Sequence, residues 1–355
     1  MSKEKRMFNT ILHIGTGKAG SSALQTALSK TPKLSSGNYG NVRYISIEKD
    51  GKVLHGARLK RLANATPYGY LSSCMFAELQ NLIHRKESIR RALRNITKDG
   101  TDTLILSQEG WARQGAEIGR IDPFTKFDMR VIQVIAYIRN PVEWINSAWW
   151  QWGAWEYPLD KYIEQMIALI NRDYECFKNW SSYAGRDRFR LKPLPKDIIG
   201  DVAHFLRTDE IKKDIKTNVS LPAEILLFFY KHRELRSKAH DPSLDFIISK
   251  YFRFDDPSHY SATPWVLSKE NIKLIIDKTK ESNQRLAEFM DKETAEEFLS
   301  DQRWWNEETF LQKRRENIDK AKLSYETLER ILVDSLKAIK KLGNENWKLK
   351  REILD

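Results

Sequence analysis

A short apolar run containing Ile11, Leu12 and Ile14 ends in the glycine-rich turn Gly15-Thr-Gly-Lys-Ala-Gly20, and a helix-like stretch, Ser22 to Leu28, follows directly. Three further strand-like runs can be placed. Thr103 to Leu106 is short and apolar, and it ends in Ser107-Gln108-Glu109-Gly110. Val131 to Ile138 is longer and β-rich, and it ends at Arg139-Asn140-Pro141. Arg188 to Lys192 alternates polar and apolar and stops at Pro193, the pattern of an edge or half-buried strand. Helical patterns separate these runs, notably over 84–98, 142–157 and 159–180. Near-continuous apolar strands are expected where both faces of a parallel sheet are covered. Their alternation with helices predicts an α/β fold with a parallel sheet flanked by helices.

Beyond about residue 200 the chain reads as mostly helical. Pro222 is placed to open a helix over 223–236, and Ser268 to cap another through 290. Residues 240–264, rich in Asp, Pro, Ser and aromatics, predict a surface loop. The segment 307–350 is strongly charged, with Leu328, Leu332, Leu336, Ile339 and Leu342 at helical spacing. It reads as an amphipathic helix, either docked on the body or meeting a partner or a second copy. The expected division is therefore 1–305 for the α/β domain and 306–355 for the charged helix.

Composition narrows the class. The chain has 355 residues, 41% hydrophobic and 30% charged, in the range of soluble globular proteins. Sixty Lys and Arg against 48 Asp and Glu give a net charge of +12, which favours anionic partners. The basic residues are spread out and no nucleic-acid-binding signature is present, which argues against nucleic acid as the partner. Cys74 and Cys176 lie far apart without metal-ligand spacing, the usage of a reducing compartment. With no secretory apolar segment and no stretch long enough to span a bilayer, a cytoplasmic protein is expected.

The turn at 15–22 is where chemistry enters. A Walker A loop carries its Lys immediately after the last glycine. Here Ser21 and Ser22 follow Gly20, and the loop's lysine is Lys18. Unhindered backbone N–H groups, one cation and two hydroxyls at a helix start suit a phosphate or sulfate group. A second constellation begins at Arg139, at the end of the strongest strand, where open α/β sheets place their ligand crevice. Pro141 starts the next helix and Ser147 falls near its second turn, so a guanidinium and a hydroxyl stand ready for a second phosphate. The structural alternative has Arg139 in an ion pair and Ser147 on a solvated helix face.

Together these stretches resemble the sulfotransferases that use 3′-phosphoadenosine-5′-phosphosulfate (PAPS), most closely the bacterial carbohydrate-type members. The family's first pattern, Gly-Thr-x-Lys-(Ala/Ser/Thr)-Gly-(Ser/Thr)-(Ser/Thr), aligns with Gly15, Thr16, Gly17, Lys18, Ala19, Gly20, Ser21 and Ser22. The second, Arg-(Asn/Asp)-Pro followed by a helical Ser, aligns with Arg139, Asn140, Pro141 and Ser147. Weaker similarity runs from Trp180 to Leu191, over Asn218 to Leu221, and over Ser282 to Ala287. The resemblance implies a P-loop-like core and PAPS as co-substrate. It implies that Lys18 contacts the 5′-phosphosulfate, that Gly17 to Ser22 hold the phosphate, and that Arg139 and Ser147 bind the 3′-phosphate. It also implies sulfuryl transfer without a metal, to a carbohydrate or other hydroxyl-bearing acceptor.

Such a reaction benefits from a base for the acceptor hydroxyl. Glu109 follows the strand 103–106, so a parallel sheet brings it to the same edge as both phosphate motifs. Related carbohydrate sulfotransferases use a glutamate in this role, whereas other branches use histidine, for which His55 is the alternative here. His13, inside the first strand, reads as a packed core histidine; His84, His204, His232, His240 and His259 lack suggestive context. In the cluster Trp144, Trp149, Trp150, Trp152, Trp155 and Tyr157, Trp144 with Ala148 and Trp155 fits a buried helix face. At least half of the rings are expected in the core, but so many cannot all face inward from one helix. Some of the cluster, with Trp111, is expected in an acceptor cleft, and Arg113 and Lys161 nearby favour an acidic acceptor. Competing readings are a P-loop small-molecule kinase and a non-catalytic nucleotide- or polyanion-binding protein.

Overall fold

A computed structural model describes residues 7–66, 68–211, 221–236, 262–316 and 323–354, together with 244, 245, 248 and 318. The four runs read from the sequence form strands, and the strongest of them occupy the middle of the sheet. They are β1 (Phe8–His13), β5 (Thr103–Ser107), β6 (Met129–Ile138) and β7 (Phe189–Pro193). Three more strands, β2 (Lys33–Ser36), β3 (Gly40–Ile47) and β4 (Val53–His55), complete a seven-stranded sheet. The order is β2-β3-β5-β1-β6-β7, with β4 pairing on β3. Strands β3, β5, β1, β6 and β7 run parallel, while β2 and β4 join β3 antiparallel. The fold is thus α/β with a mostly parallel, mixed sheet flanked by helices.

Side chains alternate across the strands, so each strand feeds two cores. Leu12, Leu106, Val134 and Ala136 pack on one face with Trp111, Phe177, Trp180 and Phe298. Ile11, Ile105, Ile135 and Tyr137 pack on the other with Leu24, Leu28, Ile198 and Val202. Each fully buried Leu or Ile contributes about 1.5–3 kcal/mol, which explains why apolar runs occupy the sheet's centre. Strand β7, at the end of the sheet, alternates buried and exposed as its sequence predicts.

β1 leads toward β3 on one side of the sheet, and β6 leads to β7 on the other, although β1 and β6 are neighbours. The chain therefore leaves their carboxyl ends in opposite directions, the place where open α/β sheets form a ligand crevice. The turn 14–20 and Arg139 flank that point.

Several helices are shorter than their sequence patterns. Residues 142–157 become a helix over Pro141–Gln151 and a 3-10 turn over Gly153–Trp155. The single helix expected over 159–180 is two, Leu159–Ile170 and Asp173–Ala184. Asp173, buried and ion-paired to Arg113 at 2.9 Å, anchors the start of the second. The helix over 268–290 tightens into a 3-10 turn at Leu286–Phe289. Most of the loop expected at 240–264, with His240, His259 and Asn218 to Ser220, lies outside the described residues. Among the described residues, no helix is long and apolar enough to cross a membrane.

Two compact units emerge. Unit 1 comprises 1–144, 165–217 and 274–306, and contains the sheet. Unit 2 comprises 145–164, 218–273 and 307–355. One crossing between the units falls at 306/307, where the chain returns to unit 2. Within unit 2, Phe310 stacks on Trp265 with centroids 5.8 Å apart, and the Glu316 amide donates to the Trp265 carbonyl at 2.7 Å. Trp150 Nε1 and Asn146 Nδ2 both donate to the Pro264 carbonyl, at 2.8 and 3.3 Å.

Candidate active site

The turn after β1 is stitched to both neighbouring strands. Thr16 N donates to the Tyr137 carbonyl and Tyr137 N to the Gly15 carbonyl, each at 2.8 Å. On the other side Gln108 N donates to the His13 carbonyl at 2.9 Å, and Ala112 N to that of Ile14 at 3.0 Å. The loops following β1, β5 and β6 are thereby fixed to one another at the sheet's carboxyl edge. Gly15, with φ +98°, lets the β5 loop approach: a Cβ there would lie 2.6 Å from the Glu109 carbonyl oxygen. Lys18 also has positive φ, +62°, and Gly20 at +82° is the N-cap of the helix Ser21–Lys30. Glycine has no side chain to accept from the first-turn N–H groups, so the helix start keeps its donors for an incoming anion.

Glu109 meets this turn directly. Burial pushes its carboxyl above the ordinary carboxylate range, and the Lys18 ammonium and the Ser21 hydroxyl pull it back only in part. Ser21 Oγ also donates to the Thr16 carbonyl at 3.2 Å, and Ser22 Oγ lies 3.3 Å from the Tyr70 hydroxyl. Tyr70 in turn feels the Glu109 charge. The structure thus assembles Lys18, Ser21, Ser22, Tyr70 and Glu109 around one turn. Tyr70, in a stretch without strand or helix pattern, is the member that the sequence did not single out.

Beneath the cluster, His13 Nδ1 contacts Ser107 Oγ at 2.8 Å, and Gln25 Nε2 donates to that hydroxyl at 3.0 Å. Full burial lowers the His13 pKa from 6.5 to about 4, so the ring is neutral and is the packed core histidine its position implied. His55 lies elsewhere, at the end of β4, with Nδ1 accepting from Arg43 Nη1 at 3.1 Å. Burial and then Arg43 lower its pKa, and the other charges acting on it are Asp99, Lys33 and Arg58.

Arg139 stands at the end of β6 and is 29% exposed at its side chain, with Nε donating to Glu143 Oε2 at 3.3 Å. The ion-pair alternative is therefore realised in part, and the pair leaves four further guanidinium N–H bonds to be used. Ser147 is half-buried on the second turn of the helix Pro141–Gln151, in the segment belonging to unit 2. Next to Thr16 and Arg139 is a cavity of about 20 Å³, also lined by Arg113, Trp144, Asp173 and Asn283. Trp144 Nε1 donates to the Gly17 carbonyl at 2.7 Å, and the Arg113 guanidinium stacks 5.7 Å from the Trp144 ring. Arg113 is forked onto Asp173 at 2.9 and 3.3 Å, so it supports the turn rather than attracting an acidic acceptor. Sequence spacing carries no signal for this pair, because its members are 60 residues apart.

Trp144 and Trp155 are buried as their helix face implied, while Trp149, Trp150 and Trp111 join the core rather than a cleft. Trp144, Trp149, Trp150 and Trp155 are all at most 7% exposed, and Trp111 is fully buried, donating to the Cys74 carbonyl at 3.2 Å. They are core residues, because the helix ends at Gln151 and the following 3-10 turn buries Trp155 from another direction. Unit 2 carries a cavity of about 780 Å³ whose lining includes Trp149, Tyr157, Tyr230, Arg233 and Arg315. Lys161 sits over the Tyr157 ring at 5.6 Å.

Compared with protein-family models and with curated proteins, the chain finds no match.

Proposed function

We propose that the protein is a PAPS-dependent sulfotransferase acting on a hydroxyl of a carbohydrate-type acceptor. The observation that carries the reading is the meeting of Lys18, Ser21 and Glu109 at the glycine turn beside the β1/β6 switch point. A cation and helix-start donors suit the phosphosulfate, and a half-buried carboxyl with a raised pKa suits proton abstraction. Arg139, at the neighbouring strand end, is the cation for the 3′-phosphate.

In the reaction the acceptor oxygen attacks sulfur while the bond from sulfur to the 5′-phosphate oxygen breaks. The acceptor proton passes to Glu109, and adenosine 3′,5′-bisphosphate leaves with its new charge opposite Lys18. Catalysis rests on positioning and on fixed charges rather than on a covalent intermediate. His55, drawn toward Arg43 on an edge strand, has the weaker claim to be the base.

Thermal stabilisation by adenosine 3′,5′-bisphosphate, measured beside ADP and ATP, tests the reading. A ligand at 100 times its Kd stabilises by about 2.7 kcal/mol. The expected result is a larger melting shift with the bisphosphate than with ADP, lost in Lys18→Ala and Arg139→Ala. Equal shifts would overturn the proposal, and a larger shift with ATP and magnesium would favour the kinase reading instead.

A further inference from the structure

Tyr70 has no part in the chemistry proposed above, yet several bonds hold it in place. Its hydroxyl lies 3.3 Å from Ser22 Oγ, and its ring packs 5.8 Å from that of Tyr68. Thr66 Oγ1 donates to the Tyr70 carbonyl at 3.1 Å, and Leu71 N donates to Ser29 Oγ at 3.2 Å. The Tyr44 hydroxyl donates to the Leu71 carbonyl at 2.5 Å. Ser22 and Ser29 stand two turns apart on one face of the helix Ser21–Lys30. That face is therefore bonded to residues 70 and 71 at two points.

The same segment continues to the loop that carries Glu109. Ser73 N donates to the Ser107 carbonyl at 3.0 Å, and Gln108 Nε2 donates to the Ser73 carbonyl at 2.5 Å. Gln108 Oε1 in turn accepts from Gly110 N at 3.0 Å, on the far side of Glu109. Residues 70–73 thus tie the helix start to the loop after β5. Tyr70 is the side chain that reaches from this tie to Ser22.

Hydrogen-bond counting gives the contact a direction. A serine hydroxyl has one proton to donate and two lone pairs with which to accept. Either oxygen of the Ser22–Tyr70 pair can be the donor. An anion at the helix start decides between them: its oxygen takes the Ser22 proton, and Tyr70 then donates to Ser22. The phenol is suited to donate. Burial pushes its pKa up, Ser22 opposes that effect, and the Glu109 charge adds to it, so the hydroxyl keeps its proton. A donor feeding a hydroxyl that itself donates strengthens the second bond.

We propose that Tyr70 is a positioning residue, which donates to Ser22 Oγ and so aims the Ser22 proton at the anion held by the glycine turn. In the sulfotransferase reading that anion is the 5′-phosphate, and the inference rests on that reading only so far as an anion occupies the turn. The competing role is structural, with Tyr70 merely bracing residues 70–73 against the helix.

A double-mutant cycle of Tyr70→Phe and Ser22→Ala separates the two roles. Calorimetry measures the binding of adenosine 3′,5′-bisphosphate and of inorganic pyrophosphate, and melting of the free protein checks the fold. Tyr70→Phe should weaken both anions roughly fivefold, the worth of one neutral hydrogen bond, with the free protein melting as the wild type does. In the Ser22→Ala background the same change should have no effect, because no hydroxyl remains to be fed. In the Ser22→Thr background, which restores a hydroxyl, the loss should return. Unchanged affinity in Tyr70→Phe, or a loss that persists beside Ser22→Ala, would overturn the inference. If the bisphosphate bound no more tightly than pyrophosphate, the PAPS reading would fail, and a coupled cycle with pyrophosphate would still support the role of Tyr70. Selective bisphosphate binding with an additive cycle would fail the inference alone, and binding of neither anion would overturn both.

Discussion

Glu109 is the residue at which stability and the proposed chemistry pull in opposite directions. Its folded-state pKa is raised by burial, so the carboxyl is more easily ionised in the unfolded chain. The sign follows: stability is full below the ordinary value of 4.5 and declines as pH rises through the folded pKa. Glu109→Gln fixes the neutral form. Its melting temperature should equal that of the wild type near about pH 4 and exceed it near about pH 8, while sulfuryl transfer is lost and bisphosphate binding remains. Differential scanning calorimetry at the two pH values reads the first effect, and a variant less stable at the higher pH would remove the buried-base argument. His13 has the opposite sign. Its pKa is lowered to about 4, so the stability it provides is present above 6.5 and is lost as pH falls toward 4.

At the scale of elements, the decisive one is the turn between β1 and the helix Ser21–Lys30. Gly15 combines φ +98° with a Cβ position only 2.6 Å from the Glu109 backbone, so Gly15→Ala must push the β5 loop away. The expected cost is on the order of 2–4 kcal/mol, strain and overpacking combined. Bisphosphate binding should fall with it; wild-type melting and binding in Gly15→Ala would show that the two loops are not held as described. This element was legible in the sequence because its glycines, lysine and serines are contiguous. β5 and β6 were legible because their apolar runs are, and β7 because its polar and apolar residues alternate. β3 was not: Arg43 and Ser46 are buried within it, at 3% and 0% exposure, and break the apolar pattern. Arg43 is tolerated there by Asp99 at 3.3 Å and by His55, partners that sequence spacing does not announce. The same holds for Arg113 with Asp173, which anchors one helix start and supports Trp144 against the Gly17 carbonyl. The burial of Trp149 and Trp150 beside Trp144 and Trp155 was not legible for a related reason: one helix cannot bury so many rings, but a helix, its 3-10 extension and separate packing partners can.

At the scale of the whole molecule, the chain passes repeatedly between two units, and the last passage decides where it can be shortened. All segments of unit 1 end by residue 306, so a chain ending at 305 retains nearly all of them. Unit 2, by contrast, loses Phe310, which is 4% exposed and stacked on Trp265, together with the Glu316 amide bond to the Trp265 carbonyl. It also loses the Lys273–Glu307 pair, 3.8 Å apart. Removing a buried Phe alone costs about 3–5 kcal/mol. A chain ending at 323 keeps these contacts and gives up the helix Tyr325–Leu354. The chain ending at 323 should therefore stay folded, melting somewhat below the full chain through loss of the Ile331 and Ala338 packing. The chain ending at 305 should show a separate, earlier transition with red-shifted tryptophan fluorescence from unit 2, while the sheet's far-ultraviolet signal persists. If both shortened chains melted alike in one step, residues 307–316 would be an appendage, and the boundary read from the sequence at 305/306 would stand.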